Sequence, residues 1–196
     1  MQLTAFKGTV LACSLALSGA AFAATPSAEM ISNTCFGCHG PNGNSVGPAI
    51  PSIAGMAEPY LVEVMKQYKA GERNSTIMTR IAKGYSDEEI ELTSAWFASQ
   101  KYMPVTQTHD AAKAKAGAKL HDKYCDKCHT ESGTLADDEA GFLGGQWVPY
   151  LKASLNDVEA GGRDVPKKMT KALENAKKKG GDDAIDQLLH FYASYK

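Results

Sequence analysis

The chain has 196 residues, 43% of them hydrophobic, with 21 basic and 22 acidic residues and a formal net charge of −1 at pH 7. A charge this close to balance does not favour nucleic-acid binding, which usually requires a basic surface. The length allows one domain of medium size or two small ones.

The N-terminal segment, residues 1–23, has the pattern of a cleavable export signal. The positive charge of Lys7 precedes the apolar run TVLACSLAL, and Ala21-Phe22-Ala23 is typical of a cleavage site. Lipidation at Cys13 is the alternative, but the apolar run continues past that residue. The run is also too short for a membrane anchor. We therefore expect a periplasmic protein without a membrane anchor.

The cysteines after this signal all lie in C-x-x-C-H motifs. The two motifs comprise Cys35, Cys38 and His39, and Cys125, Cys128 and His129. Such spacing lets two thiols add to the vinyl groups of one porphyrin, and the histidine is then held as a ligand of the iron. A redox dithiol, a zinc site built from both pairs, or two disulfides are the alternatives. None of them needs both histidines, so the motifs favour two covalently bound haems c.

Apolar residues recur at helical spacing along the chain, and no stretch shows sustained strand alternation. In the first half we predict helices from about Ser27 into the first motif, from Glu58 to Ala70, and after a capping box formed by Ser86 and Glu89. In the second half we predict helices at residues 111–127, 149–158 and 182–195. The predicted fold is all-α.

The second half of the chain repeats the first. At an offset of 90 positions Gly55 matches Gly145 and PYL at 59–61 matches PYL at 149–151; WFAS at 96–99 matches FYAS at 191–194 at an offset of 95. An internal duplication indicates two similar domains. We place them at residues 24–104 and 105–196, with a linker from about Tyr102 to Asp110.

The repeat also predicts the sixth ligand of each iron. Met169 is the single methionine of the second domain, and its matched partner in the first domain is Met78. Methionine is a common sixth ligand in soluble electron carriers. The methionines without a counterpart are interpreted as core residues, namely Met30, Met56, Met65 and Met103. Two His/Met haems argue against an enzyme such as a peroxidase, which needs an open coordination position.

Other polar residues have weaker signals. Arg73 and Arg163 match at the offset, and each guanidinium can pair with a haem propionate; an exposed surface arginine is the alternative. Histidines outside the motifs are interpreted as surface or capping residues, namely His109, His121 and His190. The acidic run at residues 137–139 is expected to be a solvated surface. Lysines 167, 168 and 171 surround Met169 and could guide an acidic electron acceptor.

Both halves resemble class I cytochromes c. The whole chain after the signal is similar to the dihaem cytochrome subunits of flavocytochrome c sulfide dehydrogenases. The segments that carry this closer likeness include CFGCHGPNGNSVGPAIPSIAG, STIMTRIAKGYS, GAKLHDKYCDKCH and GGQWVPYL.

The resemblance implies several structural features. The first and last helices of each domain should cross, and the axial methionine should come from a loop. The carbonyl of Pro48 should accept the Nδ1–H of His39, a bond that orients the ring. The loop 130–145 has no proline, so the acceptor for His129 stays open.

The resemblance also implies a function. The chain, not an enzyme by itself, would form a heterodimer with a flavin-containing sulfide dehydrogenase subunit. It would take electrons from the flavin and pass them to a soluble acceptor such as a small cytochrome. The alternative is a free dihaem cytochrome c that carries electrons to a terminal oxidase. We further expect electrons to enter through the haem on His39 and to leave through the haem on His129.

Overall fold

A computed structural model describes residues 26–196, and the predicted export signal lies outside them. The first half contains α1 (Ala28–Asn33), α2 (Phe36–His39), α3 (Glu58–Ala70), α4 (Met78–Ile81) and α5 (Asp87–Ala98). The second half contains α6 (Ala111–Tyr124), α7 (Thr130–Gly133), α8 (Val148–Glu159), α9 (Lys167–Gly180) and α10 (Ala184–Ala193). Short 3-10 turns occur at Pro41–Gly43, Ala82–Gly84 and Gly181–Asp183. None of these helices is long and apolar enough to span a membrane.

The all-α prediction is confirmed. Over residues 26–196 the only β pairing is one isolated antiparallel bridge between Arg73 and Arg163. Helix α3 has the predicted bounds, because Pro59 is compatible with its first turn and Gly71 ends it in the left-handed conformation. The capping box of Ser86 and Glu89 opens α5 as predicted, with each side chain bonded to the other residue's backbone N–H.

The first and last helices of each half pack together, as the resemblance implied. Helix α1 contacts α5, and α6 contacts α10. A Cβ atom on Gly117 of α6 would lie 2.0 Å from the carbonyl oxygen of Gln187 in α10. Only glycine therefore permits this close approach of the two backbones. The buried side chains around this contact include Leu120, Leu188, Leu189, Phe191 and Tyr192.

The hydrophobic core of the first half includes a residue of the second. Met56, Leu61 and Phe97 form a buried cluster with Phe142, which lies after the second motif. The ring of Phe142 stacks on Tyr102 with 4.0 Å between the ring centroids and 4° between their planes. Met56 is thus a core residue as predicted. The same interpretation was wrong for Met30 and Met103, because both side chains are exposed.

The segment between the halves, residues 101–110, has no regular secondary structure but is bound to both of them. The N–H of Met103 donates to Asn44 Oδ1 of the first half at 2.8 Å. The N–H of Val105 donates to the carbonyl of Gly145 in the second half at 2.7 Å. The predicted linker is therefore an ordered connection that fixes one half against the other.

Candidate haem sites

The first C-x-x-C-H motif folds as a single helical turn. The N–H of His39 donates to the carbonyl of Cys35 at 2.9 Å. Gly40 then reverses the chain at φ +74°, where a Cβ atom would lie 1.9 Å from the carbonyl oxygen of Asn44. The turn leaves His39 buried, Cys35 half-buried and Cys38 exposed. This arrangement gives one enclosed imidazole beside two thiols on the same turn.

The acceptor for the His39 ring is not Pro48 but Pro51. The Nδ1 atom of His39 lies 2.8 Å from the carbonyl oxygen of Pro51. Pro48 is exposed because a turn closed by Ile50 N–H and the carbonyl of Gly47 carries it outward. Burial lowers the pKa of His39, and the Pro51 carbonyl opposes this shift. The ring is therefore held in one orientation in its neutral form, which is the form that binds metals.

The candidate sixth ligand of the first half begins a helix. Met78 is the first residue of α4, and its N–H donates to Ser75 Oγ at 3.0 Å. Helix α4 packs on α3. The Met78 side chain is half-buried, whereas its neighbours Ile77 and Ile81 are exposed. The methionine thus lies at a boundary between the protein interior and an apolar patch of the surface.

The second motif lies in a cavity of about 820 Å³. Its walls include every residue that the sequence assigned to the second site, namely Cys125, Cys128, His129, Met169 and Arg163. The first half contributes Met56, Tyr60 and Arg73 to the same cavity. A volume of this size is in the usual range for cofactor sites. The structure therefore brings the predicted second-site residues together, with part of the wall supplied by the other half.

One polar group of this cavity, the guanidinium of Arg163, fits a haem. His129 Nδ1 and Arg163 Nε are buried and have no hydrogen-bond partner among the residues that the structure describes. Buried polar atoms are almost always bonded, so a guanidinium N–H of this kind matches a propionate oxygen. Burial, together with the nearby His121, lowers the pKa of His129 to about 4, which keeps its imidazole neutral. A haem bound here would supply an iron that can accept and release one electron.

Met169 lies on a helix and not on the loop that the resemblance implied. Its N–H donates to the carbonyl of Pro166 at 2.8 Å in the first turn of α9. This helix was not predicted from the sequence. Its apolar spacing was visible in Met169, Ala172, Leu173 and Ala176 but was obscured by the surrounding lysines.

The two arginines meet between the halves. Their backbones form the antiparallel bridge, and the N–H of Asn74 donates to the carbonyl of Gly162 at 2.7 Å. The Arg73 side chain is only 6% exposed, with its guanidinium 5.4 Å from the centroid of the Tyr68 ring. Arg163 donates to the Ser154 hydroxyl. The alternative of an exposed surface arginine is therefore wrong for Arg73, and the propionate contacts stay a prediction.

A buried polar group lies next to the second site and was not predicted from the sequence. His121 is fully buried, so its interpretation as a surface or capping residue was wrong. Its Nδ1 lies 3.0 Å from the Tyr192 hydroxyl, and its Nε2 lies 3.5 Å from a carboxylate oxygen of Asp126. The matched positions of the first half are apolar, namely Ile31, Phe36 and Phe97. Comparing the repeats position by position would have revealed these polar residues at positions that are apolar in the first half.

His190, by contrast, does act as a cap, since its Nδ1 accepts the N–H of Asp110 at 3.0 Å.

The acidic run after the second motif is exposed, as expected, but is not free of partners. Glu139 forms an ion pair with Lys168 at 2.8 Å, and both residues line the cavity. The pair joins the acidic loop to the first turn of α9, and it neutralises one of the lysines around Met169.

Comparison with known proteins now places the chain. The cytochrome c family model matches residues 24–101. Cytochrome c4 of Pseudomonas aeruginosa is 35% identical over 163 residues, which are 78% of this chain and 81% of that protein. The chain belongs to the cytochrome c family.

Two further likenesses refine this assignment. The crystal structure of reduced recombinant cytochrome c4 from Pseudomonas stutzeri superposes on 88% of this chain and 100% of that one, with a TM-score of 0.70 and 30% identity. The cytochrome subunit of sulfide dehydrogenase from Chlorobaculum tepidum is 46% identical over 69 residues, which are 35% of this chain and 62% of that protein. The fold is thus a tandem pair of cytochrome c domains, as predicted.

This cytochrome c carries two covalently attached haems c and transfers electrons. The alternative uses of the cysteines find no support among residues 26–196. Within that range no disulfide joins the four motif cysteines, and no three His, Cys, Asp or Glu side chains converge as ligands of one metal ion.

Proposed function

We propose that this dihaem cytochrome c is the electron-transfer subunit of a flavin-containing sulfide dehydrogenase. In the proposed heterodimer the flavoprotein oxidises sulfide, and this chain passes the electrons to a soluble acceptor such as a small cytochrome. A reduced flavin holds two electrons, and two haems give them separate one-electron exits. The likeness to the sulfide dehydrogenase subunit supports the proposal.

We assign the haem ligands residue by residue. The first haem is attached to Cys35 and Cys38, with His39 and Met78 as its axial ligands. The second haem is attached to Cys125 and Cys128, with His129 and Met169 as its axial ligands. For the second haem the support is the shared cavity. For the first it is the buried, bonded His39 and the match of Met78 to Met169.

The observation that carries the proposed partner is the contrast between the surfaces beside the two methionines. Ile77 and Ile81 are exposed on either side of Met78. Apolar side chains exposed together mark contact surfaces between proteins. Around Met169 the exposed residues include three lysines, Lys167, Lys168 and Lys171, and no large apolar side chain, whereas α4 exposes one cation, Arg80, beside its isoleucine. We infer that the flavoprotein covers the apolar surface of the first half and that an acidic acceptor visits the second.

Purification from the native source tests the assignment. The chain should elute with a flavin-containing subunit, and sulfide should then reduce both haems of the complex. The separated chain should not be reduced by sulfide at a comparable rate. Mass analysis of the N terminus should show cleavage after Ala23, as expected for a periplasmic protein.

Two matched variants test the surface. Ile81→Glu should slow electron transfer from the flavin to the first haem, because a charge would be buried in the interface. Leu92→Glu is the control, since Leu92 on α5 is exposed to the same degree, 40% against 39% for Ile81. Equal rates for the two variants would contradict the proposed contact.

A free dihaem cytochrome c that delivers electrons to a terminal oxidase is the second candidate. The likeness to cytochrome c4 over 81% of that relative favours it. It predicts that the native protein elutes as a single chain without flavin and that membranes containing a terminal oxidase oxidise it directly.

A further inference from the structure

Gln146 of the second half binds the backbone of the first. The side chain is fully buried. Its Oε1 atom accepts the N–H of Ser52 at 3.0 Å, and its Nε2 atom donates to the carbonyl of Ser52 at 2.9 Å. Both polar groups of the amide are therefore satisfied by one residue of the other half. A buried amide paired in this way holds that backbone in a single position.

A second contact holds the same loop. The Ser52 hydroxyl accepts the N–H of Ser45 at 3.0 Å, and the indole N–H of Trp147 donates to the carbonyl of Ser45 at 3.1 Å. Both serines are buried. Two consecutive residues of the second half, Gln146 and Trp147, thus fix the two ends of the loop 45–52.

The bond to Ser52 N–H leads directly to the proposed iron ligand of the first haem. The N–H of Ser52 and the carbonyl of Pro51 belong to the same peptide group, which is planar. That carbonyl is the acceptor for Nδ1 of His39 at 2.8 Å. Gln146 therefore orients this peptide group from one side while His39 bonds to it from the other. Bonds in such a chain also polarise one another, which makes the Pro51 carbonyl a stronger acceptor.

The second half makes these hydrogen bonds to the first half, but the matched residues of the first half make no such bonds to the second. At the offset of 90 positions Gln146 matches Met56, and Pro51 matches Gly141. The Met56 side chain does pack on Gly141, where a Cβ atom would lie 3.2 Å from Met56 Cε. The thioether of methionine cannot form the two hydrogen bonds that the glutamine amide forms. In the second half Nδ1 of His129 has no partner among the described residues.

We propose that Gln146 is a positioning residue by which the second half sets the reduction potential of the first haem. The bond from Nδ1 to the Pro51 carbonyl makes the imidazole of His39 a stronger electron donor, which stabilises the oxidised iron. Gln146 strengthens that bond and thereby lowers the potential of the haem in the other half. The proposal rests on the assignment of His39 as an axial ligand.

The test uses the full-length protein with both haems attached. Gln146→Met installs the residue that the first half has at the matched position. The midpoint potential of the first haem should rise by roughly 30 mV, which for one electron corresponds to an about threefold change in the equilibrium constant of reduction. The midpoint potential of the second haem should stay constant. Gln146→Glu keeps one donor and one acceptor when its carboxyl is protonated. At a pH low enough to protonate that carboxyl, this variant should leave the potential of the first haem close to that of the parent.

Tyr102→Phe is the control for general loosening of the contact between the halves. It removes a bond between them, from the Tyr102 hydroxyl to the carbonyl of Gly144 at 3.1 Å, without touching Ser52. Neither potential should change. An equal shift of the first haem in Tyr102→Phe and Gln146→Met would overturn the proposal, and so would unchanged potentials in Gln146→Met.

A measurement on the unmodified, reduced protein covers the case in which Gln146→Met does not fold. In proton NMR spectra the His39 ring N–H and the Ser52 amide should both exchange slowly with solvent. Rapid exchange of either proton would refute the connection. If His39 is not an axial ligand, the ligand assignment is overturned together with this proposal. If the ligation is intact but the potentials of Gln146→Met are unchanged, only this proposal is overturned.

Discussion

At the residue scale, the chemistry of each site depends on which side chains the iron and the ring nitrogens meet. In the proposed assignment histidine supplies one axial ligand by its place in the motif, but methionine has to be delivered by a distant segment. Met78 and Met169 both stand in the first turn of a helix, where the backbone N–H is bonded to Ser75 Oγ or to the Pro166 carbonyl. These bonds set the position of each methionine within its own helix.

Replacement of each methionine by alanine tests the proposed coordination. Met78→Ala and Met169→Ala should each abolish the weak near-infrared sulfur-to-iron band of one haem only, since each removes one thioether ligand. Near-infrared absorption of the oxidised protein is the measurement. Met103→Ala should leave both bands intact, because Met103 is exposed at the connection between the halves. Loss of a band in Met103→Ala but not in Met78→Ala would refute the match between the repeats.

The buried pair of His121 and Tyr192 gives a second prediction at this scale. Tyr192→Phe leaves Nδ1 of His121 buried without its 3.0 Å partner. A buried polar atom that loses its partner costs about 1–3 kcal/mol of unfolding free energy. Denaturant unfolding followed by circular dichroism should show this loss. Tyr195→Phe should have a smaller effect, because no hydrogen bond of the Tyr195 hydroxyl occurs within the described part of the chain, and similar losses in both variants would argue against the pair.

At the element scale, helices with strong local signals were predicted well. The bounds of α3 and the start of α5 follow from Pro59, Gly71 and the capping box, which act over three or four residues. Helix α9 was missed because its lysines hide a narrow apolar stripe. The choice of Pro48 over Pro51 was wrong because two prolines lie in the same loop. The turn at residues 47–50 decides which carbonyl faces His39. This turn could not be predicted from the sequence.

Tertiary contacts between the halves were beyond sequence reasoning for the same physical cause. Gln146, Tyr102 and Phe142 have no periodic pattern, and their partners lie tens of residues away along the chain. The candidate second site was predictable in its residues, since the repeat identified them. Its wall from the first half was not, because only the packing of one half on the other brings Met56, Tyr60 and Arg73 to the cavity.

The helices around the second cavity should depend on the haem. The cavity of about 820 Å³ lies between α8, α9 and α10, and a large apolar space without a ligand destabilises its walls. The double variant Cys125→Ala, Cys128→Ala should therefore lose helical content, mostly from the second half. Circular dichroism gives the total loss, and hydrogen exchange with mass spectrometry assigns it to helices. An unchanged spectrum would contradict the prediction.

At the scale of the whole molecule, the two halves expose different surfaces beside their candidate methionine ligands. Lys168 is neutralised by Glu139, whereas Lys167 and Lys171 are exposed and form no ion pair with any residue in the range 26–196. Of the three lysines predicted to guide an acceptor, these two therefore retain their full charge. Complementary charges mainly raise the rate of association, and salt screens them.

A charge-reversal variant tests the exit of electrons from the second haem. Lys167→Glu, Lys171→Glu should slow reduction of an acidic acceptor at low salt and leave transfer from the flavin to the first haem unaffected. Lys177→Glu is the control, because Lys177 lies at the far end of α9 and pairs with Glu159. Stopped-flow absorption resolves both steps. Unaltered exit rates in the double variant would refute this route.

The wall that the first half adds to the second cavity has a consequence for the order of assembly. Ribosomes synthesise the chain from residue 1 onwards, so Met56, Tyr60 and Arg73 are present before the second motif exists. The second haem thus enters a site that is completed by segments made earlier. His39, in contrast, is held by a loop that forms hydrogen bonds with Gln146, and Gln146 is made later. We expect the maturing protein to acquire its final first site only after its second half has folded onto it.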